Sequence, residues 1–150
     1  MEATSSEPTR RVALVCCEFT MQSAFALFIL ALNAARLNYE TFIYFTFEGL
    51  NMIRPGNLSR LRYIPSGIQP SEDEVDKLTE ELRGTMYDRD IPFIEDMMEM
   101  AQLEGVQFLA CKTSADLFGL TEEDFLEGVQ VMLAEDFMKK ASGSDLHLVF

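Results

Sequence analysis

Short apolar runs alternate along this chain with longer segments of helical period. Residues 11–17 (RVALVCC) are β-branched and apolar and too few for a helix, which predicts a first strand buried on both faces. Thr20 stands in an N-cap position, and residues 21–37 follow as a helix of strong formers without Gly or Pro. The apolar residues from Phe25 to Leu32 surround this helix on every side. One sheet face cannot bury them all, so a second covering partner is expected, and another copy of the chain is the simplest. Residues 40–47 (ETFIYFTF) predict a second strand, ended by Gly49.

Residues 50–69 mix Gly, Pro, Asn and Arg and read as a long loop, with Arg54, Arg60 and Arg62 as its basic cluster. Ser71-Glu72-Asp73-Glu74 matches a capping box, and Val75, Leu78, Thr79 and Leu82 continue at helical spacing. Pro92 begins another helix, with Phe93, Ile94, Met97, Met98, Ala101 and Leu103 on its apolar side and Gly105 as its stop. The run Val106-Gln107-Phe108-Leu109-Ala110 predicts a third strand that ends at Cys111. After it come a short helical turn over 115–118, an acid-led helix from Thr121 to Gly128, a fourth strand over 129–132, a helix over 134–141 and a last strand over 146–150. This order specifies an α/β fold with a mostly parallel sheet covered on both faces.

The length and the 48% hydrophobic content suit one domain, over 11–150, preceded by a polar N-terminal tail over 1–10 without signal-peptide character. No apolar run approaches the roughly 20 residues that cross a bilayer, so no membrane span is predicted. The net charge of −13 is uneven: residues 1–70 carry six basic and five acidic groups, residues 71–150 six and twenty. An acidic field of that kind argues against nucleic-acid binding; it reads first as a solvated face that maintains solubility, with a basic protein partner as the alternative. No Gly-rich phosphate loop follows the first strand, where Cys17-Glu18-Phe19 stands instead.

The three cysteines, at 16, 17 and 111, form neither a disulfide framework nor a zinc site, and point to a reducing compartment, the cytoplasm. No cofactor or metal is expected. Cys111 is the candidate reactive residue, because a thiol at a strand-to-helix junction meets unpaired amide N–H groups that stabilise its anion. Lys112, Thr113 and Ser114 are the candidate groups around it. Cys16 and Cys17 point to opposite faces of their strand and are expected to pack rather than react. His147 alternates with Leu146 and Leu148 and reads as an outward strand residue, which leaves no hydrolytic triad.

The block Phe45-Thr46-Phe47-Glu48-Gly49-Leu50-Asn51, the helix end from Met97 to Gly105, the stretch from Val106 to Ser114 and the Gly128-Val129 step together resemble the DsrE/DsrF-like sulfur-relay family, in its branch labelled peroxiredoxin-family or predicted sulfurtransferase. That resemblance implies a three-layer α/β/α sandwich with five parallel strands and a homo-oligomer. It also implies a cysteine, Cys111 here, that carries sulfane sulfur as a persulfide between a small donor and a thiol carrier protein. The alternatives are a scaffold or binding subunit of the same fold and, third, a thiol-dependent reductase or peroxidase. If the second strand separates the first and third, as the resemblance implies, Cys17 lies about 10 Å from Cys111, which disfavours a resolving disulfide. Glu48 beside the cleft would oppose thiolate formation.

Overall fold

The computed structural model describes residues 9–150, so most of the expected N-terminal tail lies outside the described residues. The five strands are β1 (Arg11–Cys16), β2 (Glu40–Phe45), β3 (Gln107–Cys111), β4 (Gln130–Met132) and β5 (Leu146–Val149). They form one sheet in the order β4-β3-β2-β1-β5, parallel throughout. The three-layer α/β/α sandwich is therefore as expected. Helix α1 (Met21–Arg36) buries its apolar side in the larger core, α2 (Glu72–Asp88) reaches that core with Leu82 and buries Val75, Thr79 and Met86 beside it, and α3 (Ile94–Leu103) buries Ile94, Met97 and Ala101 in it while Leu103, expected on the same side, is exposed at the helix end. The opposite sheet face is covered by α5 (Ala134–Ala141), which inserts Phe137 and Ala141 among Ala13, Phe42, Tyr44, Leu109 and Cys111.

Local chemistry accounts for the element ends. The Thr20 side chain caps α1 by accepting from Ser23 N–H, and Ser71 and Glu74 close a reciprocal capping box at the start of α2. Gly105, at φ 95°, takes the left-handed turn that leads from α3 into β3. Gly49 is buried because the chain after β2 folds back onto the end of β1: a Cβ there would stand 2.1 Å from the Cys16 carbonyl oxygen. Only glycine allows that approach.

Several expectations change. The second strand ends at Phe45, since Phe47 turns to φ 51° and starts a 3-10 helix, Phe47–Ile53. The expected loop over 50–69 is thus partly ordered, with a second 3-10 helix at Asn57–Arg60, and it buries Leu50, Met52, Ile53, Leu58 and Leu61. Helix α4 (Lys112–Leu117) starts directly after Cys111, three residues earlier than the sequence suggested. The segment after Thr121 is one 3-10 turn, Glu122–Asp124, whose capping box uses Asp124. Helix α1 also finds its second cover within the chain: α3 packs along it, leaving Ile29 and Leu30 as its large exposed apolar residues.

Candidate functional site

Register brings Cys111 to the sheet face that carries Tyr44. Phe45 pairs with Ala110, so the next positions, Thr46 and Cys111, lie side by side at the carboxyl ends of β2 and β3. Alternation along β2 then puts Phe42, Tyr44 and Thr46 on one face, and along β3 Leu109 and Cys111 on the same face. Cys111 is 6% exposed, and the chain turns at it from strand to helix α4.

Three hydroxyl groups, of Ser114, Tyr44 and Thr46, act on the sulfur. Ser114, in the first turn of α4 and itself buried, makes a 2.9 Å hydrogen bond with the Thr46 hydroxyl and accepts another of 2.9 Å from Phe47 N–H. Tyr44 stands on β2, its phenol donating to the Met132 carbonyl at 3.0 Å and its ring stacked on Phe137 at 4.2 Å. Burial pushes the Cys111 thiol up, but hydrogen bonds from the Ser114 hydroxyl, the Tyr44 hydroxyl, the Ser114 N–H and the Thr46 hydroxyl outweigh it and bring its pKa down to about 7. The Tyr44 phenol is pushed the other way, beyond the usual range, first by burial and then by its place beside the sulfur. It therefore stays protonated as a donor near neutrality.

The hydroxyl geometry has a directional consequence. Ser114 Oγ already receives the Phe47 N–H, so its own single proton is free to point at Thr46 or at the sulfur. Tyr44 likewise holds one proton, and it can serve the Met132 carbonyl or the sulfur but not both.

The other candidate residues sit at the rim. Lys112 is exposed and its ammonium is held by Asp116, 2.5 Å from Oδ1 and 2.6 Å from Oδ2, a contact between successive turns of α4. It is not among the groups that lower the thiol. Thr113 is exposed, and Glu48 is exposed and absent from the groups acting on Cys111. Sequence reasoning passed over Tyr44 and Thr46, although their alternation in the second strand was a usable signal once β2 was placed beside β3.

Cys16 faces the opposite way, into the larger core at 0% exposure, and its thiol lies 3.4 Å from the Glu18 carbonyl. Burial pushes it up to about 12. Cys17 is half-buried, with its sulfur 3.1 Å from a Phe150 oxygen. Thr46 stands between Cys17 and Cys111 across the sheet. Two strand spacings of this kind amount to about 10 Å, beyond disulfide reach. Among the described residues no group of three or more His, Cys, Asp or Glu side chains is placed to hold a metal ion. No helix among them is long and apolar enough to cross a membrane. Of the three arginines in the 50–69 segment, Arg62 is paired with Glu72 and Asp76.

The family model of the DsrE/DsrF/DrsH-like family matches residues 8–149. The chain belongs to this family. Within reach of this DsrE/DsrF/DrsH-like chain is the sulfur carrier protein DsrE2 of Allochromatium vinosum, 26% identical over 93% of this chain and 97% of that protein. The uncharacterized protein YrkE of Bacillus subtilis is 24% identical over 95% of this chain and 98% of its own length. Among solved structures, the ychN protein of E. coli superposes with a TM-score of 0.60 at 16% identity, covering 95% of this chain and 99% of that one. A conserved protein of unknown function from Bacteroides thetaiotaomicron gives a TM-score of 0.57 at 11% identity, over 98% and 99% of the two chains. These likenesses establish the fold of a DsrE/DsrF/DrsH-like domain.

Proposed function

We propose that this chain relays sulfane sulfur as a persulfide on Cys111, in a cytoplasmic sulfur-transfer system. The observation that carries the reading is a buried thiol at the end of β3, on the sheet face shared with Tyr44 and Thr46 and one helical turn from Ser114. Ser114, Tyr44 and Thr46 favour the anion that the chemistry needs, while a 6% exposure keeps a bound persulfide away from bulk oxidants. Similarity along nearly the whole chain to a protein named a sulfur carrier supports it.

The reaction conserves electrons. The Cys111 thiolate attacks the outer sulfur of a donor persulfide, R–S–SH. The donor S–S bond breaks, R–S⁻ leaves, and Cys111 holds the sulfur as a persulfide. An acceptor thiolate then attacks that outer sulfur, and Cys111 leaves as the thiolate that Ser114 and Tyr44 are placed to stabilise. Ser114, rather than Lys112, is the main positioning residue for this anion, with Tyr44 and Thr46 beside it. Lys112 and Thr113 belong to the rim that an incoming partner meets. We further propose that the chain self-associates, through an apolar face that includes Ile29 and Leu30, 36% and 44% exposed. Light scattering that finds a monomer at micromolar concentration removes that part.

The deciding experiment is intact-mass analysis after exposure to polysulfide. One added sulfur atom on the native chain, absent from Cys111→Ser and removed by a reducing thiol, is the expected result. No uptake, or uptake spread over Cys16 and Cys17, overturns the relay and leaves the scaffold reading, which the near-complete burial of Cys111 favours. A catalytic thiol peroxidase is disfavoured, because Cys17 lies too far from Cys111 to resolve an oxidised sulfur.

A further inference from the structure

The rim of the sulfur site carries two aromatic rings that the core does not use. Phe47 and Phe118 are 50% and 46% exposed, and their rings lie 5.2 Å apart at a tilt of 57°. Both are tied to Ser114, the residue that faces the sulfur. Phe47 N–H donates to its Oγ at 2.9 Å, and Phe118 N–H donates to its carbonyl at 3.1 Å. Phe47 moreover holds a φ of 51°, a left-handed conformation that is costly for a bulky aromatic residue. A strained backbone that leaves a ring in water beside a reactive thiol points to a contact made with something outside the chain.

The chain that carries the rings is acidic. Glu48 follows Phe47, and Asp116, Glu122 and Glu123 stand within a few positions of Phe118; all four are exposed, and residues 112–128 carry five carboxylates against the single lysine, Lys112, already engaged by Asp116. A second copy that brought the same acidic stretch to this place is a poor occupant, since it would set like charges against each other. A basic surface is the complementary one.

We propose that Phe47 and Phe118 form a docking platform for the cysteine-bearing segment of a basic partner protein, with an apolar residue beside the partner thiol resting on the two rings. This rests on the reading of Cys111 as a sulfur relay, and names the protein partner of that site by its chemistry. Small acidic thiols meet the same rim as a repulsive field and lack the apolar contact.

The test uses short peptides whose cysteine carries a thionitrobenzoate leaving group. The Cys111 thiolate forms a disulfide with the peptide sulfur and the thionitrobenzoate anion leaves, read by its absorbance. No sulfane sulfur takes part, so this test is independent of persulfide uptake. At low salt a Lys-Phe-Cys-Lys peptide is expected to react about tenfold faster than Glu-Phe-Cys-Glu, the difference closing as salt rises. The preference for Lys-Phe-Cys-Lys over Lys-Gly-Cys-Lys is expected to be about fivefold, and to vanish in Phe47→Ser and Phe118→Ser while Phe118→Leu keeps part of it. Urea unfolding of each serine variant checks that it is folded under the assay conditions, since an unfolded chain would lose the Phe preference for another reason.

Equal rates on the basic and acidic peptides, or a Phe preference that survives both serine variants, overturn the proposal. So does a change in oligomeric state in those variants without a change in peptide preference, which would assign the rings to a contact between copies. A Cys111 that also fails to react with the free aromatic disulfide reagent overturns the relay reading itself, and the platform with it.

Discussion

Cys16 and Cys111 are each the last residue of a parallel strand, β1 and β3, and both are buried, at 0% and 6% exposure. Their chemistry is opposite. Cys16 aligns through Phe45 with Ala110, one position short of Cys111, so the two sulfurs emerge on opposite faces of the sheet. One enters the apolar layer under α1, where burial holds its thiol up to about 12. The other meets Ser114, Tyr44 and Thr46, and its pKa falls to about 7 in spite of burial. Burial by itself therefore does not decide where a thiol of this chain ionises. What decides it is whether the surrounding atoms donate hydrogen bonds to the anion.

The strongest way to break this comparison is thiol alkylation at pH 7. Cys111 is expected to react at least about 1,000-fold faster than Cys16, as its ionised fraction and its access require. Comparing Cys111→Ser and Cys16→Ser by peptide mass mapping checks this, and comparable rates at the two positions would refute it.

Stability should rank the two sites in reverse. Cys16→Ser places a hydroxyl in an apolar core and is expected to cost about 1–3 kcal/mol in urea unfolding, whereas Cys111→Ser, already among hydroxyls, should cost less than about 1 kcal/mol at pH 6. The sign of the pH dependence follows from the lowered Cys111 pKa. The folded thiol ionises before the unfolded one, so its contribution is complete above the unfolded pKa and is lost as pH falls through about 7. The native chain should therefore gain on Cys111→Ser as pH rises from about 7 toward about 9.

Ser114→Ala sharpens the comparison from inside the site. Removing the hydroxyl takes away a donor to the anion, raises the Cys111 pKa and moves the alkylation profile to higher pH. About a tenfold loss of rate at pH 7 is expected, with the two profiles converging in alkaline solution. A uniform loss at all pH values would show a structural effect instead. The smallest effect belongs to Tyr44→Phe, a few-fold in rate with the same upward shift, because the Tyr44 proton is shared with the Met132 carbonyl.

Much of the fold was legible in the sequence, and for local reasons. Capping at Thr20 and at Ser71 with Glu74, the β-branched runs and the Gly105 turn are all set by residues within a few positions of each other. Cys111 was legible for the same reason, as a thiol closing an apolar run. Its partners were not. Tyr44 and Thr46 lie more than 60 positions away and reach the sulfur only because Phe45 registers with Ala110. Lys112, adjacent in sequence, was the natural candidate, yet the first turn of α4 hands it to Asp116.

The sequence by itself determined the alternation of strands and helices, the acidity of the second half and the position of one thiol at a strand end, because periodicity, charge and local capping act over a few residues. Only the tertiary structure decided which thiol has its pKa lowered. Sheet register chose the face onto which each thiol emerges, and the return of residues 47–53 against the end of β1, possible because Gly49 lacks a Cβ, set the Phe47 N–H on Ser114. Hydrogen bonds of that kind join residues that no local pattern connects, and so they exist only once the sheet has formed.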